Sequence, residues 1–273
     1  MTNKFLSVLL TFFCGLLMSK ENSITITVWV HGTYPVLKLL GHERSPIRSK
    51  VYAKPGLSLA KELPSDYYFK MLSKELFLQN PDEYNSNCFY TYGWHSSTVR
   101  PGKRKDEGAK LYASLCTLLE EYQKDYDHIT LRLVGVSHGG NVILNCISHM
   151  PFITEKVDTE VILFLTPVQE STRNYVNNKA VKRIYSFYSD TDWMQRIDIQ
   201  KFHKDAPKQC PFWSKRTFEE SDRVVQIRLK VDGKFFAHSA NRSVVKYLPR
   251  IMEQVNKKID NQDKVHIDLD FKT

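Results

Sequence analysis

Residues 135–140 read Gly-Val-Ser-His-Gly-Gly, and they fall where an apolar run, Ile129–Val134, gives way to a helix-compatible stretch, Asn141–Met150. This junction constrains the fold more than any other feature of the chain. A strand must turn abruptly into a helix, and Gly135 and Gly139 flank Ser137 at the corner. A Cβ at either glycine would strike the neighbouring strand or helix, while the strained turn pushes the serine hydroxyl outward. A strand, a sharp turn with serine at its apex and then a helix make the context of a nucleophile elbow. Short matches of this kind also arise by chance, so the reading depends on partners in the right chain order.

Such partners follow. The strand-like run Val181–Tyr188 ends in Ser189-Asp190-Thr191-Asp192-Trp193-Met194. Either aspartate can hold a histidine. Asp192 is preferred, because a strand end, a short turn, an Asp and two apolar residues put a carboxylate at a loop tip with the chain re-entering the core behind it. Asp190 is the fallback, and it also reads as a turn former bonding its own backbone. The next strand, Val224–Val231, alternates cleanly through Val225, Ile227, Leu229 and Val231, and an Asp232-Gly233 turn leads to Phe235-Phe236-Ala237-His238-Ser239. His238 is therefore placed on a loop before the terminal helical region. A general base there can reach Ser137 while Asp192 holds its other ring nitrogen. His42, His128, His149, His203 and His266 lie in loops, element ends or polar segments, where a lone histidine is usually just solvated.

Upstream, a strand alternating Ile24, Ile26, Val28 and Val30 runs into His31-Gly32-Thr33. Hydrolysis of an acyl bond passes through a tetrahedral oxyanion that needs backbone N–H donors fixed in advance. The N–H groups of Thr33 and His138 are the expected donors, with Gly32 allowing close approach. His31 reads as an organiser of this loop, and the His138 side chain is expected to face helix surroundings.

In this order, H-G-T, G-V-S-H-G-G, D-T-D and F-A-H-S resemble the α/β-hydrolase superfamily, in its lipase and serine-esterase branch, across residues 24–259. The resemblance implies an acyl-enzyme mechanism on a carboxylic ester, with a small-molecule acyl ester as substrate and no cofactor. Ser137 would attack, His238 would carry the proton and Asp192 would orient the imidazole. A thioesterase or amidase would use the same residues. The alternative from another class is a binding protein that keeps the fold without catalysis.

The remaining patterns agree with an α/β chain. Strands are expected at Ile24–Val30, Cys88–Tyr92, Ile129–Val134, Val161–Leu165, Val181–Tyr188 and Val224–Val231, with helices between several of them. That alternation calls for a mostly parallel sheet with helices on both faces. Helical stripes run along Lys103–Tyr122 and Ser243–Ile259, the second interrupted by Pro249, which must kink or split it. The segment 35–87 shows no clean strand alternation, contains five prolines and one helix-like part, Tyr67–Leu78, and reads as a cap-like insertion shaping substrate access. A second irregular stretch, Trp193–Arg223, is a candidate pocket wall, and its aromatics read equally well as packing. Trp94 and His95, at the end of the second strand, read as a packing corner. The expected organisation is a leader at 1–22, one catalytic domain at 23–260 and a tail at 261–273.

The leader follows from Lys4 and the apolar run Phe5–Met18, which resembles a secretory signal and falls short of the ~20 residues of a spanning helix. The expected location is therefore exported, with an uncleaved anchor as the alternative because no small-x-small cleavage pattern follows. Net charge is +9. A basic exported protein can be drawn to anionic membrane surfaces, but the charges are scattered apart from Lys103–Lys105, and no nucleic-acid motif accompanies them. Cys14 lies in the leader. Cys88, Cys116 and Cys146 read as strand or helix core, so no obligatory disulfide is expected, and the absence of C-x-x-C spacing argues against a metal site.

Overall fold

In the computed structural model the chain is described over residues 22–33, 54–96, 100–151, 156–198, 200, 210–260 and 265–273. Strands β1 (Ser23–Val30), β2 (Gly56–Leu59), β3 (Phe89–Gly93), β4 (His128–Val136), β5 (Val157–Phe164), β6 (Arg183–Tyr188), β7 (Val224–Val231) and β8 (His266–Phe271) form one sheet. Their order is β2-β3-β1-β4-β5-β6-β7-β8. Every pairing is parallel except β2 with β3.

The sheet is covered on both faces, and strand alternation explains how. In β1, Ile26, Val28 and Val30 enter one apolar cluster while Trp29 enters the other. In β5, Val161 and Leu163 face the first cluster, Ile162 and Phe164 the second. Successive side chains of a strand point to opposite faces, so a central strand in this fold must be apolar on both. Helices α1 (Tyr68–Gln79) and α5 (Leu248–Asp260) close the face shared with Trp29. Helices α2 (Pro101–Tyr122) and α3 (His138–Ile147) close the other. The protein is thus α/β, with a mostly parallel eight-stranded sheet between helical layers.

The strand order also locates a crevice. After β1 the chain builds β2 and β3 on one side, then crosses to β4 and moves outward through β8. The direction of winding reverses between β1 and β4, and in such sheets ligands bind beyond the carboxyl ends of the strands at this switch point. The loops that leave β1 and β4 there carry His31-Gly32-Thr33 and Ser137.

Several elements depart from the sequence expectations. Within the stretch expected as a tail, 261–273, residues His266–Phe271 form an eighth strand, so the sheet extends to Phe271. Ile267, Leu269 and Phe271 are buried under α5, while Asp268 and Asp270 point outward, the two-residue period of a strand with one buried face. In the segment read as an insertion, Gly56–Leu59 is a short antiparallel edge strand, and α1 buries Phe69, Leu72 and Leu76 in the core. Residues 34–53, with Pro35 and Pro46, lie outside the described residues. Pro249 splits the terminal helical stretch into α4 (Asn241–Val245) and α5, where it occupies the first turn and needs no N–H partner. The apolar run Phe5–Met18 also lies outside the described residues. Among the described residues no helix is long and apolar enough to cross a membrane.

Candidate active site

Ser137 stands between β4 and α3 with φ 53° and ψ −132°, one of three non-glycine residues with positive φ among those described. That backbone conformation costs on the order of 1–3 kcal/mol and persists only where neighbours over-determine it. Here they do. The Ser137 N–H donates to the Phe164 carbonyl at 2.9 Å, and the Gly140 N–H donates to the Ser137 carbonyl at 3.0 Å. A Cβ on Gly135 would come 2.6 Å from Gly140 Cα, and one on Gly139 would overlap the Val30 carbonyl oxygen. The corner closes only with glycine on both sides of the serine.

The loop after β1 lies against the same corner. A Cβ on Gly32 would sit 2.9 Å from Ser137 Cβ and 3.5 Å from its Oγ, so the loop backbone passes beside the hydroxyl. Thr33 follows directly on this loop, and the His138 N–H opens α3 next to the serine. His31 is buried and organises the turn. Its carbonyl accepts the Trp94 indole N–H at 2.7 Å, its ring stacks on Trp94 at 6.0 Å between centroids, and Nδ1 lies 2.9 Å from the Gly32 carbonyl. Trp94 is buried, whereas His95 is exposed.

Beyond β6 and β7, the structure joins the other two residues. His238 Nδ1 lies 2.7 Å from Asp192 Oδ2. Asp192 is fully buried, while the His238 side chain keeps 19% of its surface exposed, so the carboxylate anchors the ring from below. Asp192 Oδ1 is buried with no hydrogen-bond partner among the described residues, which makes the imidazole N–H the principal compensation for this carboxylate. Asp190 is engaged elsewhere, in an ion pair with Arg228 on β7. The geometry thereby separates the two aspartates that the sequence left open.

Two residues that hold the histidine loop carried no signal in the sequence. Ser189 Oγ donates to the Phe236 carbonyl at 2.7 Å and accepts the Phe236 N–H at 3.1 Å, which ties the loop after β6 to the loop after β7. Asn241 Nδ2 donates to the His238 carbonyl at 2.6 Å. Both contacts depend on tertiary placement rather than on any local pattern.

The His138 side chain, expected to face plain helix surroundings, points into a buried polar cluster. Its Nε2 is 3.9 Å from Asp198 Oδ2, which also accepts from Gln169 and lies 3.8 Å from the buried Arg104 guanidinium. Burial lowers the Arg104 pKa to about 10 and the Asp198 carboxylate opposes that shift, so the guanidinium stays charged at neutral pH. The cluster ties α2 and the loop after β6 to the first turn of α3.

Ser137, the His238–Asp192 pair and the His31-Gly32-Thr33 loop all follow carboxyl ends of strands in one sheet, β4, β6, β7 and β1. Such a set offers a hydroxyl, a histidine held by a buried carboxylate, and backbone donors at a helix start. Among the described residues no group of three or more His, Cys, Asp or Glu gathers in a way that could hold a metal ion. No protein-family model matches the chain, and no curated protein matches it in sequence.

Proposed function

We propose that this chain is a serine hydrolase of the α/β-hydrolase type that cleaves carboxylic esters, lipid or other acyl esters in particular. The carrying observation is the 2.7 Å contact between His238 Nδ1 and the buried Asp192, on the loops after β7 and β6, in the same sheet that strains Ser137 at the end of β4. In this reading Ser137 Oγ attacks the acyl carbonyl and His238 accepts its proton through Nε2. The Nδ1–H stays bonded to Asp192, which favours the imidazolium and fixes the ring. The tetrahedral oxyanion forms beside the Thr33 and His138 N–H groups. As the tetrahedral intermediate collapses, His238 returns the proton to the leaving alkoxide and the alcohol departs. Water then repeats the sequence on the acyl-enzyme and releases the acid. The leader-like run at residues 5–18 supports an exported location for this activity.

The test is labelling of the purified full-length chain with a fluorophosphonate, followed by peptide mapping. Modification of Ser137 is expected, slowed on the order of a thousandfold or more in His238→Ala. Labelling elsewhere, or labelling of Ser137 that is unaffected by His238→Ala, removes the proposal.

A further inference from the structure

Eight large apolar side chains are exposed among the described residues, and five of them lie on two hydrogen-bonded stretches: Trp193, Met194 and Ile197 on one, Phe212 and Trp213 on the other. They begin one residue after Asp192. Trp193 is 59% exposed and Trp213 44%, whereas the other two tryptophans, Trp29 and Trp94, are buried. Scattered single exposures are ordinary on a soluble surface, but a cluster of this size is not.

Hydrogen bonds make the two stretches one lobe. The Gln200 N–H donates to the Phe212 carbonyl at 3.0 Å and its side chain to the Trp213 carbonyl at 2.9 Å. The Ser214 N–H reaches the Asp198 carbonyl at 3.2 Å, and Ser214 Oγ donates to the Gln195 carbonyl at 2.6 Å. The Phe212 and Trp213 rings meet edge to face at 4.6 Å. These polar contacts hold the two aromatic stretches together.

Charge selects the occupant. Within 193–198, 200 and 210–216 the charged residues are Arg196, Asp198, Lys215 and Arg216. Asp198 turns inward, with its side chain only 6% exposed, while Arg196 and Lys215 are exposed, so the outward charge is basic. The whole chain carries +9. Exposed tryptophans with basic neighbours suit the headgroup level of an anionic bilayer, where the rings sit at the apolar boundary and each Lys or Arg adds attraction.

We infer that this lobe docks the protein on anionic membrane lipid, with Trp193 and Trp213 at the headgroup boundary. Docking would bring the loop that bears Asp192 to the bilayer surface. The inference deepens the hydrolase proposal and rests on it for one point, that the ester is drawn from the membrane.

The experiment uses the full-length chain carrying Ser137→Ala, so that turnover leaves the vesicles intact. Tryptophan emission is recorded with vesicles of equal parts phosphatidylglycerol and phosphatidylcholine, with and without brominated acyl chains, and with phosphatidylcholine alone. A blue shift and bromine quenching on the anionic vesicles are expected. Because Trp29 and Trp94 are buried, the change in emission arises from Trp193 and Trp213. Arg196→Ala with Lys215→Ala should weaken the vesicle affinity about twenty-five-fold, since each basic group near the surface contributes about fivefold. Trp193→Ala with Trp213→Ala should abolish the quenching.

No spectral change on anionic vesicles overturns the inference. Equal response to phosphatidylcholine, untouched by Arg196→Ala and Lys215→Ala, overturns it as well. So does concentration-dependent self-association that Trp193→Ala and Trp213→Ala remove, which would make the lobe an interface between copies. Fluorophosphonate labelling of the chain with Ser137 intact separates the two ideas. Labelling without vesicle quenching ends the docking inference alone, and quenching without labelling ends the hydrolase proposal alone.

Discussion

At the scale of single residues, Asp190 and Asp192 pose the sharpest question. They sit two positions apart, have the same chemistry and follow the same strand, so nothing local ranks them firmly. Tertiary partners do: Asp192 is buried against His238, and Asp190 is paired with Arg228 at the surface. Asp192→Asn keeps the shape but replaces the acceptor that selects the Nδ1–H tautomer, and under the proposed ester hydrolysis the expected loss in kcat on an activated acyl ester is on the order of ten-thousandfold. Asp190→Asn breaks a partly exposed ion pair, and its kcat should stay within about threefold of the parent, because such pairs contribute little. Steady-state kinetics of the two variants side by side check this, and equal losses would refute the assignment. Ser137 and His238 were legible for a plain reason: their placement depends on strand ends and turn residues, which leave local patterns. Ser189 and Asn241 were not, since each acts through a backbone carbonyl on a loop whose position only the folded sheet determines.

Among elements, the central strands were readable and the edges were not. Strands β1, β4, β5, β6 and β7 are apolar on one face or both, which writes a dense signal into the sequence. The edge strand β2 has only four residues, each half-buried, and β8 alternates apolar residues with aspartates so evenly that its composition resembles a polar tail. Yet β8 covers β7, and its inward residues meet α5. Phe271 is fully buried, with its ring 5.4 Å from that of Tyr247. Phe271→Ala should cost about 3–5 kcal/mol, the range for emptying a packed aromatic site. Asp268→Ala, on the outward face of the same strand, removes an exposed side chain 3.6 Å from Arg228 and should change stability by less than about 0.5 kcal/mol. Urea unfolding of the two variants distinguishes a structural strand from a loose tail: a negligible cost for Phe271→Ala would mean that the sheet holds without β8.

For the molecule as a whole, the two-layer cover of the sheet was legible from alternating strand and helix patterns, and so was the core position of Cys88 and Cys146, while the tyrosines sealed inside it were not, because burial of a Tyr depends on what packs over it. Cys88, Cys116, Cys146 and Cys210 are free thiols, and Cys146 is buried between the sheet and its helices. Burial pushes the Cys146 thiol far above its ordinary value of 9.0. Burial likewise raises the Tyr84 phenol from 10.0 to about 12, against the opposing Arg132 guanidinium, and raises Tyr92 through burial and the adjacent Glu107. The folded chain therefore keeps protons that the unfolded chain releases above pH 9–10. Where the folded state binds more protons, stability falls as pH rises. It should hold below about pH 8.5, then decline through the range between the unfolded and folded values, as each pH unit costs about 1.4 kcal/mol per group. Cys146 and Tyr84 together account for about 4 kcal/mol lost by pH 11. Urea midpoints at pH 7, 9 and 11 measure the decline, and Cys146→Ala should reduce the loss at pH 11 by about 3 kcal/mol, leaving the contributions of the tyrosines and of Cys88 and Cys210, whose thiols burial also raises. A midpoint that stays flat to pH 11 would show that these groups titrate as freely in the folded protein as in the unfolded chain.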